Sequence, residues 1–153
     1  MNTLNELKCT FPARSENESF ARTMVCAFAA QLDPTLEDLA DLRTAVSEAV
    51  TNSIVHAYRG IADGQITVTV RLLPEGVIYI RIADKGCGIA DIERAMQPLY
   101  SSAPAEERAG LGFTVMQSFT DKLTVTSKLG RGTTVIMRKK MQHGAACESA
   151  GCC

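Results

Sequence analysis

Two hydrophobic periods divide the chain, and a fold can satisfy both only with helices in one part and strands in another. Phe20, Met24, Phe28 and Leu32 recur at four-residue steps, as do Val46, Val50 and Ile54 with Ala57 close behind, the spacing that buries one face of a helix. From Ile66 the step becomes two. Ile66, Val68, Val70 and Leu72 alternate with polar residues, "PEG" turns the chain, and residues 77–82 form a dense apolar run, which together predict a hairpin. Alternation returns in residues 123–127 and 133–137 around "KLGRGT", while "LKCTF" reads as a first strand and "FTVMQSF" as a helix. "ARSENESFAR" opens the first helix with Ser15 as N-cap and Glu18 three residues on, a capping box. Asp33-Pro34 stops that helix, and Thr35 with Asp38 starts the longer one. Helices gathered on one face of a mixed, mostly antiparallel sheet predict an α+β two-layer sandwich.

A chain of 153 residues suits one domain, expected over residues 1–140 with 141–153 as a disordered tail. The formal charge of -1 gives no broad footprint for nucleic acid. No run approaches the roughly 18 apolar residues of a membrane span, and "MNTLNELKCT" lacks the regions of a signal peptide, so a cytoplasmic protein without membrane contact is expected. Of the six cysteines, Cys9, Cys26 and Cys87 lie far apart in the body of the chain without metal-ligand spacing, which predicts reduced thiols. The tail "HGAACESAGCC" brings His143, Cys147, Cys152 and Cys153 close in sequence, a possible metal set, although its small residues equally fit a frayed end.

Three stretches carry chemistry. In "AVSEAVTNSIVHAY", Glu48, Asn52 and His56 stand four apart and form a polar column beside the apolar stripe. A solvated face would more often carry Lys and Glu, and His56 alone reads as a structural residue with a local partner. "DKGCGI", residues 84–89, follows a strand directly, so Asp84 is held at the strand end while two glycines let the backbone pass close to a ligand. A plain turn after a strand uses the same residues. In "RAGLGF", residues 108–113, glycines precede a helix whose unpaired N–H groups could cradle phosphate, with Arg108 beside them; a flexible helix start with a surface arginine is the alternative. No G-x-x-x-x-G-K-[ST] occurs, and the V-A-I-K, H-R-D and D-F-G set of protein kinases is missing.

A helical E-x-x-x-N, then D-x-G-x-G after a strand, then G-x-G before a helix resembles the GHKL (Bergerat) nucleotide-binding fold of gyrase, Hsp90, MutL and histidine kinases. That resemblance implies ATP and Mg²⁺ as ligands, with Asn52 on the metal and Glu48 as the catalytic base. The closer resemblance, through "ARSENESFAR", "SEAVTNSIVHAY", "DKGCGI", "QPLYSS", "GLGF" and "GTTV", is to the family of sporulation anti-sigma-F factors, small serine protein kinases that also sequester a sigma factor. It implies that Asp84 meets the adenine amine and that Gly86, Gly88, Gly110 and Gly112 shape the pocket and lid. Thr133 would support the adenine end and Arg108 would meet the terminal phosphate. The lid pair after "QPL", commonly Thr-Thr in relatives, is Ser101-Ser102 here, and residues 91–109 are expected to act as the lid. The implied partners are a sigma factor, an anti-anti-sigma protein phosphorylated in trans on serine, and a second copy of the chain. Glu18 and Arg22 are implied in partner binding, where an i, i+4 surface ion pair is the alternative. A binding module that holds ATP and sequesters sigma with little catalysis, or a simple ATPase, would use the same site.

Overall fold

The computed structural model describes residues 1–59, 63–97 and 112–142. The chain runs β1 (Asn5–Pro12), α1 (Ser15–Ala29), a 3₁₀ turn (Ala30–Leu32), α2 (Leu36–Asn52), a π-turn (Ser53–Ala57) and β2 (Gln65–Leu73). It continues through a 3₁₀ turn (Pro74–Gly76), β3 (Val77–Asp84), α3 (Ile92–Ala95), α4 (Gly112–Phe119), β4 (Lys122–Lys128) and β5 (Gly132–Lys140). The five strands lie in the order β1-β2-β3-β5-β4, and each neighbouring pair is antiparallel.

Period-two alternation sorts each strand into two faces. Leu7, Val70, Ile80, Met137 and Leu123 stand side by side across the sheet on the face that packs against the helices. One residue along, the opposite row is Glu6, Arg71, Tyr79, Arg138 and Lys122. There Arg71 bonds Glu6, and the Arg71 and Arg138 guanidinium groups lie 5.3 and 5.5 Å from the Tyr79 ring centroid. The core therefore sits between one sheet face and the helices, with α2 in the middle against both α1 and α4. Leu42, Ala45, Val46 and Val50 of α2 are fully covered. The α+β two-layer sandwich with an antiparallel sheet is the fold that the two periods predict.

The first helix departs from the sequence reading in two ways. Its N-cap is Arg14, in extended backbone, and no side chain caps the helix. Ser15 lies inside the first turn because β1 runs up to Pro12, with Arg14 N–H donating back to the Pro12 carbonyl. Asn17, rather than a Ser15–Glu18 box, ties this corner: its Nδ2 donates to the Pro12 carbonyl at 2.9 Å. The buried face is Ala21, Val25 and Ala29, one position around from the expected stripe, and Phe20 is 51% exposed. Small side chains let the helix sit close to its neighbours, so the larger Met24 and Phe28 fill the flank as partly buried groups.

The second helix starts as expected. Thr35 Oγ1 accepts from Asp38 N–H and Asp38 Oδ2 from Thr35 N–H, a reciprocal capping box. Asp38 is only 2% exposed and is compensated further: Lys139 Nζ lies 3.8 Å from its Oδ1, and Gln142 N–H donates to its Oδ2 at 2.7 Å. Lys139 also reaches Asp41 at 3.2 Å, so the end of β5 is pinned to the start of α2. At its other end α2 does not continue as an α-helix to Tyr58; the π-turn takes over at Ser53. Each π-turn carries an extra residue, which rotates His56 away from the line of Glu48 and Asn52. The described part of the stretch read as loop after Asp84 holds one short helix, α3, capped by Asp91 Oδ1 accepting from Arg94 N–H. Four residues are too few for a period to show.

Removing Asp38 leaves Lys139 with Asp41 alone and strips the acceptor from both Thr35 N–H and Gln142 N–H, whereas removing a cap hydroxyl alone costs about 1 kcal/mol. Asp38→Ala should therefore destabilise the fold by about 3 kcal/mol or more in chemical denaturation, and Thr35→Ala by about 1 kcal/mol. Equal losses for the two would show that the Lys139 contact adds nothing.

Candidate active site

Asp84 ends β3, and its carboxylate is held by three donors. Gly86 N–H and Thr133 N–H donate to Oδ1 at 3.0 and 3.1 Å, and the Ser53 hydroxyl donates to Oδ2 at 3.0 Å. The donors come from the loop after β3, from β5 and from the π-turn, so one side chain joins three segments. The loop is pressed between two others. On one side Cys87 N–H donates to the Ala57 carbonyl at 2.9 Å, and a Cβ at Gly86 would collide with that same carbonyl. On the other side Gly130 N–H donates to the Cys87 carbonyl at 2.8 Å, and Gly88, at φ +77°, lies against the Lys128 carbonyl. A side chain at either glycine would push the loop off its supports.

Ser127 closes the network. Its Oγ accepts from Ile89 N–H at 2.7 Å, donates to the Gly132 carbonyl at 3.1 Å and lies 2.8 Å from the Thr133 hydroxyl. Behind the loop, Lys85 N–H donates to the Tyr58 hydroxyl, which donates in turn to the Gln65 carbonyl, both at 2.6 Å.

A cavity of about 400 Å³ opens between this loop, the end of α2 and the start of α4, and Asn52, Ser53, Asp84, Gly88, Gly112 and Thr133 all line it. Ala49, Ala57, Ile89, Phe113 and Val135 supply apolar wall, and His56 and Arg94 stand at its edge. At the start of α4, a Cβ placed on Gly112 would lie 3.1 Å from both terminal atoms of Asn52 and 3.4 Å from Glu48 Oε2. The polar column of α2 thus points at the first residue of α4, where helical N–H groups have no intrahelical partner. A donor base fits one end, anionic groups fit the other, and the apolar wall suits a flat ring between them. A larger groove of about 650 Å³ lies on the other sheet face, lined by Lys8, Thr67, Arg81, Lys85 and, from that side, Asp84 as well. Neither Glu48 nor Asn52 reaches it, so it cannot bring the two ends of such a ligand together.

The structure gathers Glu48, Asn52, Asp84, Gly86, Gly88, Gly112 and Thr133 into one neighbourhood. Ser101, Ser102, Arg108 and Gly110, with most of the expected lid and the His143–Cys153 set, lie outside the described residues. Glu18 and Arg22 do not line the cavity; they form an ion pair on α1, Arg22 Nε to Glu18 Oε1 at 3.7 Å. The sequence reading missed Ser53, Ser127 and Leu129. For Ser53 the available signal was its place directly after Asn52 in a stripe of covered residues. For Ser127 and Leu129 no local signal exists, since their partners lie 38 residues away or across a turn.

Oxygen donors at the Asn52 end suit Mg²⁺, a hard cation that keeps waters and bridges substrate phosphates. Among the described residues no group of three or more His, Cys, Asp or Glu side chains could hold a metal ion. No described helix is long and apolar enough to cross a membrane.

The profile of the histidine kinase-like ATPase domain family matches residues 11–139. An anti-sigma F factor of Caldanaerobacter subterraneus is 56% identical over 138 residues, covering 90% of this chain and 94% of that protein. Another, from Geobacillus kaustophilus, is 47% identical over 142 residues, covering 93% and 97%. Among solved structures, the RsbU and RsbW domains of a Mycobacterium tuberculosis protein share the fold at a TM-score of 0.68 and 20% identity, covering 92% of this chain and 34% of that one. The mycobacterial sensor histidine kinase MprB shares it at a TM-score of 0.56 and 15% identity, covering 90% and 100%.

Cys87 is exposed at the cavity rim, whereas burial pushes the Cys26 thiol up from its ordinary value against the opposing charge of Arg43. A raised thiol carries less thiolate at a given pH and gains reactivity only as pH rises toward it. Alkylation followed by peptide mass spectrometry should label Cys87 well before Cys26 at pH 7, with the gap narrowing above pH 9. Saturating ATP should slow Cys87 labelling alone; equal rates with and without nucleotide would place the ligand elsewhere.

Proposed function

We propose that this chain, which belongs to the histidine kinase-like ATPase domain family, is an anti-sigma factor that also transfers the γ-phosphoryl group of ATP to a serine of an anti-anti-sigma protein. The observation that carries the reading is the pairing of Glu48 and Asn52 against Gly112 at a cavity that Asp84 also lines. The names of the 47–56% identical relatives support the anti-sigma role.

The carboxylate of Asp84 accepts a hydrogen bond from the exocyclic amine of adenine, and the cavity's apolar wall covers the ring. Asn52 would hold Mg²⁺ by its amide oxygen, and the cation would supply positive charge against the phosphates during transfer. N–H groups at the start of α4 face the phosphates. Glu48, beside Asn52, takes the proton of the incoming serine hydroxyl as its oxygen bonds to the γ-phosphorus. The bond from that phosphorus to the β–γ bridging oxygen then breaks, leaving phosphoserine and ADP. Arg108 adds positive charge to the transferring group in this reading. A carboxylate beside the metal ligand favours transfer over passive nucleotide binding, which would gain nothing from a second negative charge near the phosphates.

The partner face is α1. Its Glu18–Arg22 pair is separated by more than a hydrogen bond, and the Arg22 side chain is 35% exposed, so its guanidinium is within reach of a partner. The guanidinium can grip a carboxylate of sigma or of the anti-anti-sigma protein with two parallel bonds. A cytoplasmic homodimer completes the proposal.

Incubation with γ-labelled ATP and the anti-anti-sigma protein should place label on a serine. Glu48→Gln should bind ATP nearly as the wild type does and lower transfer by about 10²–10⁴-fold, the loss typical of a general base. Asn52→Ala should abolish the Mg²⁺ dependence of nucleotide binding. Normal transfer by both variants would reduce the column to an ordinary polar helix face.

A further inference from the structure

Helical hydroxyls usually satisfy themselves on the preceding turn. Among the described residues Thr44 Oγ1 donates to the Ala40 carbonyl and Ser118 Oγ to the Thr114 carbonyl, and Thr120 Oγ1, just past α4, donates to the Met116 carbonyl. Ser53 does not bond back in this way. It is 5% exposed and opens the π-turn, and its hydroxyl crosses to Asp84 Oδ2, 31 residues away. The π-turn lets the chain leave the α-helical register while Ser53 N–H still reaches the Ala49 and Val50 carbonyls.

An ionised carboxylate offers about four acceptor positions. Gly86 N–H, Thr133 N–H and the Ser53 hydroxyl occupy three at Asp84, and the one left, on Oδ2, belongs to a group that lines the cavity. The two backbone donors fix Oδ1, but they leave the carboxylate free to rock about the Oδ1 side. Ser53 is the only described donor on Oδ2, so it sets where the last acceptor position points.

We infer that Ser53 is a positioning residue that sets base selectivity: by fixing the Asp84 carboxylate through Oδ2 it aims the one remaining acceptor at a purine C6 amine. The inference rests on the adenine-nucleotide reading of the cavity and goes beyond it, because it assigns discrimination between amino and non-amino purines to a residue that acts through the Asp84 carboxylate. A 6-oxopurine puts an acceptor against that acceptor and is rejected; a purine with hydrogen at C6 neither gains nor loses from the alignment.

The test is equilibrium binding of ATP, inosine triphosphate and purine riboside triphosphate, which lacks the amine, to wild type, Ser53→Ala and Ser53→Cys. Cysteine keeps the size of serine and is a weak donor, so it reads the same interaction if alanine impairs folding. Wild type should prefer ATP over purine riboside triphosphate. Both variants should lose about tenfold in ATP affinity while purine riboside triphosphate binding stays unchanged, so that the preference collapses. Ser53→Thr, which restores the hydroxyl, should restore the preference. If the variants keep the wild-type ratio, whether or not both affinities fall together, Ser53 has only a structural role and the inference is overturned. If wild type itself binds no ATP, the adenine reading fails first and this inference with it.

Discussion

A carboxylate at the inner end of a central strand has to be satisfied by something, because leaving it half-covered and without donors would cost several kcal/mol. At Asp84 the donors are a glycine N–H from the following loop, a threonine N–H from the neighbouring strand and a serine hydroxyl from the end of the central helix. The loop can reach its place only because Gly86 passes against the Ala57 carbonyl and Gly88 against Lys128. The β4–β5 turn in turn is held by Gly130 and Ser127. One wall of the cavity is therefore assembled around a single anion, and the same anion is left with one acceptor facing inward.

The central helix is fastened at both ends by carboxylates. At its start Asp38 closes the capping box and meets Lys139 and Gln142 at the end of β5. At its finish Ser53 meets Asp84 at the end of β3. Between those anchors Leu42, Val46 and Val50 fill the core, and Glu48 and Asn52 are carried on the adjoining face to the first residue of α4. The position of Asn52 and Glu48 is thus a consequence of where the helix is fixed, and both fixings are to the sheet. A fold of this kind can hold base-recognising and phosphate-recognising groups on opposite walls without a glycine-rich loop that wraps the phosphates.

What the sequence made legible was what local spacing encodes. The two periods specify the helices, the hairpin and the sandwich, and the four-residue step from Glu48 to Asn52 and the glycines after Asp84 mark two walls of the cavity. Phe20 was misplaced because periodicity cannot tell a stripe of large residues from the adjacent stripe of Ala21, Val25 and Ala29; close packing selects the small one. Ser15 looked like a cap, yet β1 holds the chain up to Pro12 and the helix begins one residue earlier. The π-turn has no sequence period of its own, so the bend that frees Ser53 was invisible. Ser127 was missed for a different reason: its role exists only once β4, β5 and the loop after β3 are side by side.

The central claim is that base and phosphates occupy opposite ends of the one cavity, between Asp84 and the Glu48–Asn52 column. A crystal structure with Mg²⁺ and a non-hydrolysable ATP analogue tests it most directly. The account predicts the adenine amine within hydrogen-bonding distance of Asp84, and a metal on the Asn52 amide oxygen bridging phosphates at the start of α4. A nucleotide bound instead in the groove lined by Lys8 and Arg81, or in this cavity with its phosphates toward Asp84, would contradict it.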